Sequence, residues 1–312
     1  MLWNNFVSKA KNATFLFYRD FMDYHSDRFQ DYSLMVYDDK KLVALLPANR
    51  VGLEIHSHQG LTYGGLVLDQ SLKLKETIEV TKAILSYLDT HKIKTLHIKL
   101  LPEIYVTTPS GELEYILFLL EAKLFRRDVL SVINNIHPPK SISTVRKRGI
   151  KRAKDNQLII KEDNDFEAFW TLVLIPNLER RFNQKPVHSL SEIQLLQKKF
   201  PKNIRQFNVY NNDKIVAGTT IFETKMVAHA QYISATEQKQ ELGSLDFLFN
   251  ELVLNVFKDK SFFDFGISNE NRGRNLNQGL LYWKESFGAR TITQEFYSIK
   301  TANHSFLNDI LI

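Results

Sequence analysis

The sequence predicts an α+β protein of two similar units in tandem, each a mixed, largely antiparallel sheet flanked by helices. Three observations lead there. At 312 residues the chain exceeds a typical single core. The order of helix-like and strand-like segments runs twice through helices, an antiparallel meander, a helix, a strand, a helix and a strand, although no residue-level repeat accompanies it. Pro138 and Pro139, followed by a run of positive charge, separate the two passes. The expected units are therefore 1–139 and 140–312.

In the first unit, a helix is expected from Leu2 to Lys11 and an aromatic-rich stretch from Phe15 to Tyr24. Tyr32 to Tyr37 and Leu42 to Leu46 flank a polar Asp38–Lys41 turn, which is the pattern of a hairpin, and Val51 to Ile55 is a third extended segment. Regularity breaks over His58 to Gly65. Leu66 to Leu68, a helix over 74–90, a strand from Thr95 to Leu100, a helix from Glu112 to Lys123 and a strand from Arg127 to Ile136 complete the unit.

At the junction, Ser141 or Ser143 can cap a basic helix over about 141–156. Arg148, Lys151, Arg152 and Lys154 recur there at spacings of three and four, so several cations share one face. The helix reads either as a solvated linker or as a ligand for phosphate groups. Beyond it come a strand from Leu158 to Lys161, helices from Phe166 to Phe182 and Leu190 to Phe200, and strands from Arg205 to Tyr210, Lys214 to Phe222 and Ala228 to Ser234. A helix from Ser244 to Phe257 and a closing strand from Thr291 to Ile299 bracket the most informative stretch, 262–288.

In that stretch Phe262, Phe263 and Phe265 form a strand that ends where Gly266 permits close approach. A polar loop follows, with Asn269, Arg272 and Asn275 as candidate substrate contacts and Gly273 permitting a sharp turn. Leu276, Leu280, Trp283 and Phe287 then fall on one face of a helix that Gly288 ends. Lys284 lies beside that apolar face, so its ammonium must snorkel to water or meet a charged partner.

Composition limits the chemistry. With no cysteine there is no disulfide, thiolate nucleophile or cysteine-ligated metal. Lys9, Lys11, Arg19 and Asp20 interrupt the apolar N-terminus before a signal core or membrane span can form. A cytoplasmic protein is expected, with peripheral attachment at the inner membrane as the variant. Lys140, Arg146, Lys147, Arg148, Lys151, Arg152 and Lys154 are seven cations with no acid between them, and subtracting them from the net +6 leaves −1. The basic character is thus one segment rather than the whole surface.

The doubled α+β order, the basic segment from Ser141 through Arg146, Lys147, Lys151 and Lys154, the F-D-F-G strand at Phe263–Gly266 and the G-L-x-x-W-K-x-x-F-G helix at Gly279–Gly288 resemble the FemAB-like branch of the GNAT N-acyltransferase superfamily. The resemblance implies amide formation by transfer of an acyl or aminoacyl group to a primary amine, such as an amino sugar or peptide precursor, in cell-envelope or surface-polysaccharide assembly. It implies for Lys284 a substrate-binding role near phosphate and the reacting carbonyl. No helical arm of the kind associated with tRNA is visible, which favours acyl-coenzyme A over aminoacyl-tRNA as donor. The family's Q/R-x-x-G-x-G/A phosphate loop is matched in its first four positions by Gln240, Glu241, Leu242 and Gly243, with Ser244 next and Leu245 in place of the last small residue. The thioester is then expected beside Tyr232 to Ala235, where Ser234 lies.

Transfer to an amine needs a deprotonated amine, a polarised carbonyl and a geometry that joins them. Lys284, His188 and Tyr63 are the catalytic candidates. Arg148, Lys151, Arg181 and His58 join the loop residues as substrate-binding candidates. No metal is expected, because the histidines are dispersed and no H-E-x-x-H pattern occurs, and G-x-S-x-G is absent. The alternative function is a non-catalytic module of the same fold that binds a phosphate-rich ligand through the basic helix.

Overall fold

The computed structural model describes residues 2–139 and 141–310, except the side chain of Phe182. Its described chain divides into two compact units, Met1–Asp128 with Thr293–Ile312, and Val129–Ile292. The sequence places the boundary instead at 139/140. The difference arises because Ile299 and Leu307 are buried in the first unit's core, so the closing segment belongs there.

In the first unit, β1 (Leu34–Asp38) and β2 (Lys41–Leu46) form the expected hairpin, extended by Val67–Leu68. The third extended segment is itself a hairpin, β3 (Asn49–Val51) and β4 (Glu54–His56), because Gly52 takes a φ of +58° between them. After α1 (Leu74–Thr90), β5 (Thr95–Lys99) lies parallel to β4, with Ile55 opposite Leu96 and His56 opposite His97. Leu85 and Leu88 of α1, Ile116 of α2 (Glu112–Leu119), Ile55, Leu96 and Ile98 fill the core. The strand expected from Arg127 is longer: β6 (Lys123–Asn134) passes from the first unit into the second.

The second unit begins with α3 (Thr144–Asp155), capped by Ser143. This basic helix is part of the unit's packing rather than a free linker, since Arg146, Gly149 and Ala153 are buried. It is followed by β7 (Ile159–Glu162) and then by helical residues Phe166–Ala168, a π-helical stretch Phe169–Leu174 and α4 (Ile175–Phe182). Pro176 accounts for the wide turn: it offers no N–H and its ring crowds the carbonyl one turn back. Next come α5 (Leu190–Lys199), β8 (Ile204–Asn211), β9 (Lys214–Glu223) and β10 (Val227–Ala235). The remaining elements are α6 (Ser244–Glu251), continued by a π-helical turn, then β11 (Phe262–Ile267), α7 (Gln278–Glu285) and β12 (Arg290–Lys300), which returns to the first unit.

Within the second unit the order is β6, β11, β10, β9, β8, β7, and among the described residues the pairings are antiparallel except β10 with β11. Phe249 of α6 packs on Phe263, Phe265, Trp283 and Phe287, so one face of β11 is held against α6 and α7 by an aromatic cluster.

Candidate active site

Strands β10 and β11 pair over three positions only, Val227 with Phe262, Ala228 with Phe263 and His229 with Asp264. Beyond them β10 stays with β9 as far as Ala235, while β11 stays with β6 as far as Ile267. The two parallel strands therefore fork after His229 and Asp264. Backbone groups facing the fork have no ladder partner across it, which leaves them able to bind a ligand.

Each prong is shaped by its sequence. On β11 the carboxylate of Asp264 accepts the Gly266 amide at 2.7 Å, Gly266 takes a φ of +73°, and the register against β6 slips by a residue. A Cβ at Gly266 would stand 3.3 Å from Cε1 of His229, so glycine meets both the conformation and the space. On β10 the register against β9 shifts between Ala230 and Tyr232, leaving Gln231 as the extra residue of a bulge. Its side-chain oxygen is buried without a hydrogen-bond partner among the described residues.

The fully buried Asp264 also holds His229, with Nδ1 2.9 Å from Oδ2. Such a contact fixes the imidazole's orientation and turns Nε2 away from the carboxylate. Asp264 lies in the F-D-F-G motif without an expected role there, and His229 does not stand out in the sequence, because only the pairing of β10 with β11 joins them.

Lys284 closes the fork from α7. Its ammonium neither snorkels nor forms the expected ion pair; Nζ donates to the carbonyls of Gly266 at 2.9 Å and Ile267 at 2.6 Å, and the residue is 2% exposed. Burial lowers its pKa to about 8, opposed in part by the charge of Asp264. The apolar face is also narrower than expected. Phe287 is buried and Trp283 partly so, whereas Leu276 and Leu280 are exposed, because α7 covers only 278–285 and its inward side is occupied by Lys284. In the preceding loop, the Asn269 side chain accepts from the Val129 amide and Asn275 accepts from Asn271. Both asparagines thus shape a tight hairpin, with exposed Arg272 at its tip under a φ of +53°.

The other sequence candidates are distributed as follows. His188 is buried, and its amide and Nδ1 both lie against the Tyr232 hydroxyl, at 3.0 and 2.6 Å. The loop imidazole is therefore packed against β10 rather than solvent-facing. Ser234 accepts from Asn177 of α4 and donates to Val173. Tyr63 and His58 lie in the first unit, both buried. Tyr63 donates to Thr14, while His58 stacks on His25 and burial pushes its pKa down to about 3.

The stretch matched to a phosphate loop is a helix junction. Gly243 has a φ of +67° and a Cβ there would lie 2.0 Å from the Gly149 carbonyl of α3; a Cβ at Gly149 would in turn strike Asp246. Leu242, Gly243 and Ser244 are buried beneath α3, whereas Gln240 and Glu241 are exposed. Arg146 pairs with Asp246, which also accepts from the Trp283 indole at 3.1 Å. A different cationic group lies past the end of β10: Lys239, Arg180 and exposed Arg181, where burial first and then the two arginines lower the Lys239 pKa. Arg180 is also tied to Glu237. On α3, Arg148 and Lys151 are exposed and Lys151 pairs with Asp155 at 2.7 Å. Lys147 and Lys154 instead line a cavity of about 510 Å³ with Ile133, Ile142, Val253 and Phe287.

Among the described residues the second unit has one parallel strand pair, which forks around a bulge, and the chain of two α+β units is similar in fold to several solved structures. FemX is similar over 98% of this chain and 97% of its own, with a TM-score of 0.68 at 11% identity. The C-terminal domain of a putative lysylphosphatidylglycerol synthetase from Agrobacterium fabrum matches over 97% of this chain and 94% of its own, with a TM-score of 0.61 at 10% identity. L-PGS from Bacillus licheniformis matches over 86% and 84%, at 0.58 and 12%. No family model matches the sequence, and no curated protein matches it. At these identities the likeness is one of fold.

Proposed function

We propose that this protein transfers an acyl or aminoacyl group from an activated donor to a primary amine, with the reacting carbonyl held in the fork of β10 and β11. The observation that carries this reading is the fork itself, closed by a buried lysine tied to the Gly266 and Ile267 carbonyls. The bulge at Gln231 frees backbone amides to polarise a carbonyl, and Lys284 places positive charge beside the oxygen that becomes anionic on attack. His229, oriented by Asp264, takes the proton of the attacking amine on Nε2. The new C–N bond then forms as the donor's thiol or hydroxyl leaves with a proton.

The donor's phosphates would meet Arg181, Arg180 and Lys239 rather than the amides at Gly243, which α3 covers. An acyl-coenzyme A donor is the favoured form, since the longest helix among the described residues is the 17-residue α1 and no extended helical arm is present. Acceptors are amino sugars or peptides of cell-envelope precursors, the class that the resemblance to FemAB-like enzymes implies; one structural relative bears the name of a lysylphosphatidylglycerol synthetase. Among the described residues no helix is long and apolar enough to cross a membrane.

A second reading has its own observation. The cavity edged by Lys147 and Lys154 would suit an anionic ligand bound without reaction. Incubation with radiolabelled acyl-coenzyme A or aminoacyl-tRNA, against a panel of amino sugars and peptides, separates the two. Label in an amide product supports transfer; saturable binding of phosphorylated ligands without product supports the binding module.

A further inference from the structure

We propose that Glu54, His56 and His97 form a binding site for a divalent first-row transition ion, with zinc as its representative, on the sheet of the first unit. Glu54 and His56 are two residues apart on β4, so their side chains share one face of the sheet. His97 stands directly opposite His56 on the parallel strand β5. The two imidazoles stack with centroids 4.6 Å apart and planes at 14°. Oε2 of Glu54 lies 3.2 Å from Nε2 of His97 and 3.7 Å from Nε2 of His56, and all three donor atoms fall within 4.8 Å of one another.

That spacing is close to what a metal imposes. Bonds of about 2.0–2.1 Å in tetrahedral geometry separate adjacent ligand atoms by roughly 3.3 Å, so modest rotation of the His56 ring completes the set. The backbones are already fixed, because Ile55 and Leu96 on the opposite face are buried in the core and pin the strand register. Phe125 packs edge-on to His97 and limits its swing. Two imidazoles with one carboxylate suit zinc and its neighbours; calcium and magnesium prefer oxygen ligands alone. Three protein ligands leave a fourth position for water or a further group. Sequence motifs could not reveal this site, since its members come from different strands far apart along the chain.

The test uses the full chain without an affinity tag, stripped with a chelator and titrated with zinc sulfate by calorimetry. One ion per chain is expected. His56→Ala and His97→Ala should each weaken binding by at least about tenfold, the scale seen even for groups that only support a ligand, whereas His91→Ala should not. Cobalt(II) should give the visible absorption of a low-coordinate site that vanishes in His56→Ala. If His97→Ala does not fold, Glu54→Gln and His56→Ala carry the test. No binding heat above dilution, or affinity unchanged in both His56→Ala and Glu54→Gln, would overturn the assignment.

Discussion

Replacing Lys284 by Met separates a lysine retained for chemistry from one retained for stability. The ammonium is buried, and burial moves its pKa from 10.5 to about 8. The folded state therefore releases a proton that the unfolded state keeps through the window from pH 8 to 10.5. The charged form is penalised in full below pH 8, and the penalty disappears as pH rises, so this group makes stability increase with pH across that window. Between pH 7 and 10 the linkage amounts to about 2 to 3 kcal/mol. Methionine keeps most of the side-chain volume and has no such titration, so wild type should gain that amount on the variant over the same range. Urea unfolding followed by tryptophan emission measures it, in a Trp3→Phe background so that Trp170 and Trp283 report the second unit. Parallel pH profiles for wild type and Lys284→Met would refute the burial argument.

Other substitutions examine the remaining parts. Asp264→Asn should lower turnover by about 100-fold or more with a smaller change in KM for the donor, because it misorients His229 and disturbs the Gly266 kink; steady-state kinetics and a pH–rate profile check this. Gly243→Ala should destabilise the second unit by more than about 2 kcal/mol in chemical denaturation, since the new methyl meets the Gly149 carbonyl at a positive φ. Arg146→Ala should cost about 3–5 kcal/mol in the same assay by stranding Asp246, which is buried. Arg181→Glu should raise KM for an acyl-coenzyme A donor at least about tenfold while the melting temperature stays unchanged, because Arg181 is exposed.

Much of the architecture was legible because hydrophobic period and turn chemistry are local. The helix over 74–90 forms over those residues, and Phe263, Phe265, Gly266 and Lys284 occupy the strand, break and helix expected of them. What could not be read depends on pairing between distant segments. His229 looks like one more residue of an apolar strand until β10 lies parallel to β11 and sets it against Asp264. Gly243 illustrates the converse problem. A glycine before a helix is demanded equally by a phosphate approaching its amides and by a second helix crossing closely, and here Gly149 makes the close approach. The exposed leucines of α7 have a similar cause: periodicity counts apolar positions but cannot tell which side a buried lysine will claim.

The central claim, that the acyl group lies in the fork of the second unit, is tested most directly by photolabelling with a diazirine-bearing acyl donor and mapping the modified peptides by mass spectrometry. The fork predicts labels within 229–235 and 264–267, reduced by excess unlabelled donor. Competed labelling confined to 147–154 would contradict it and place the ligand on the basic helix instead.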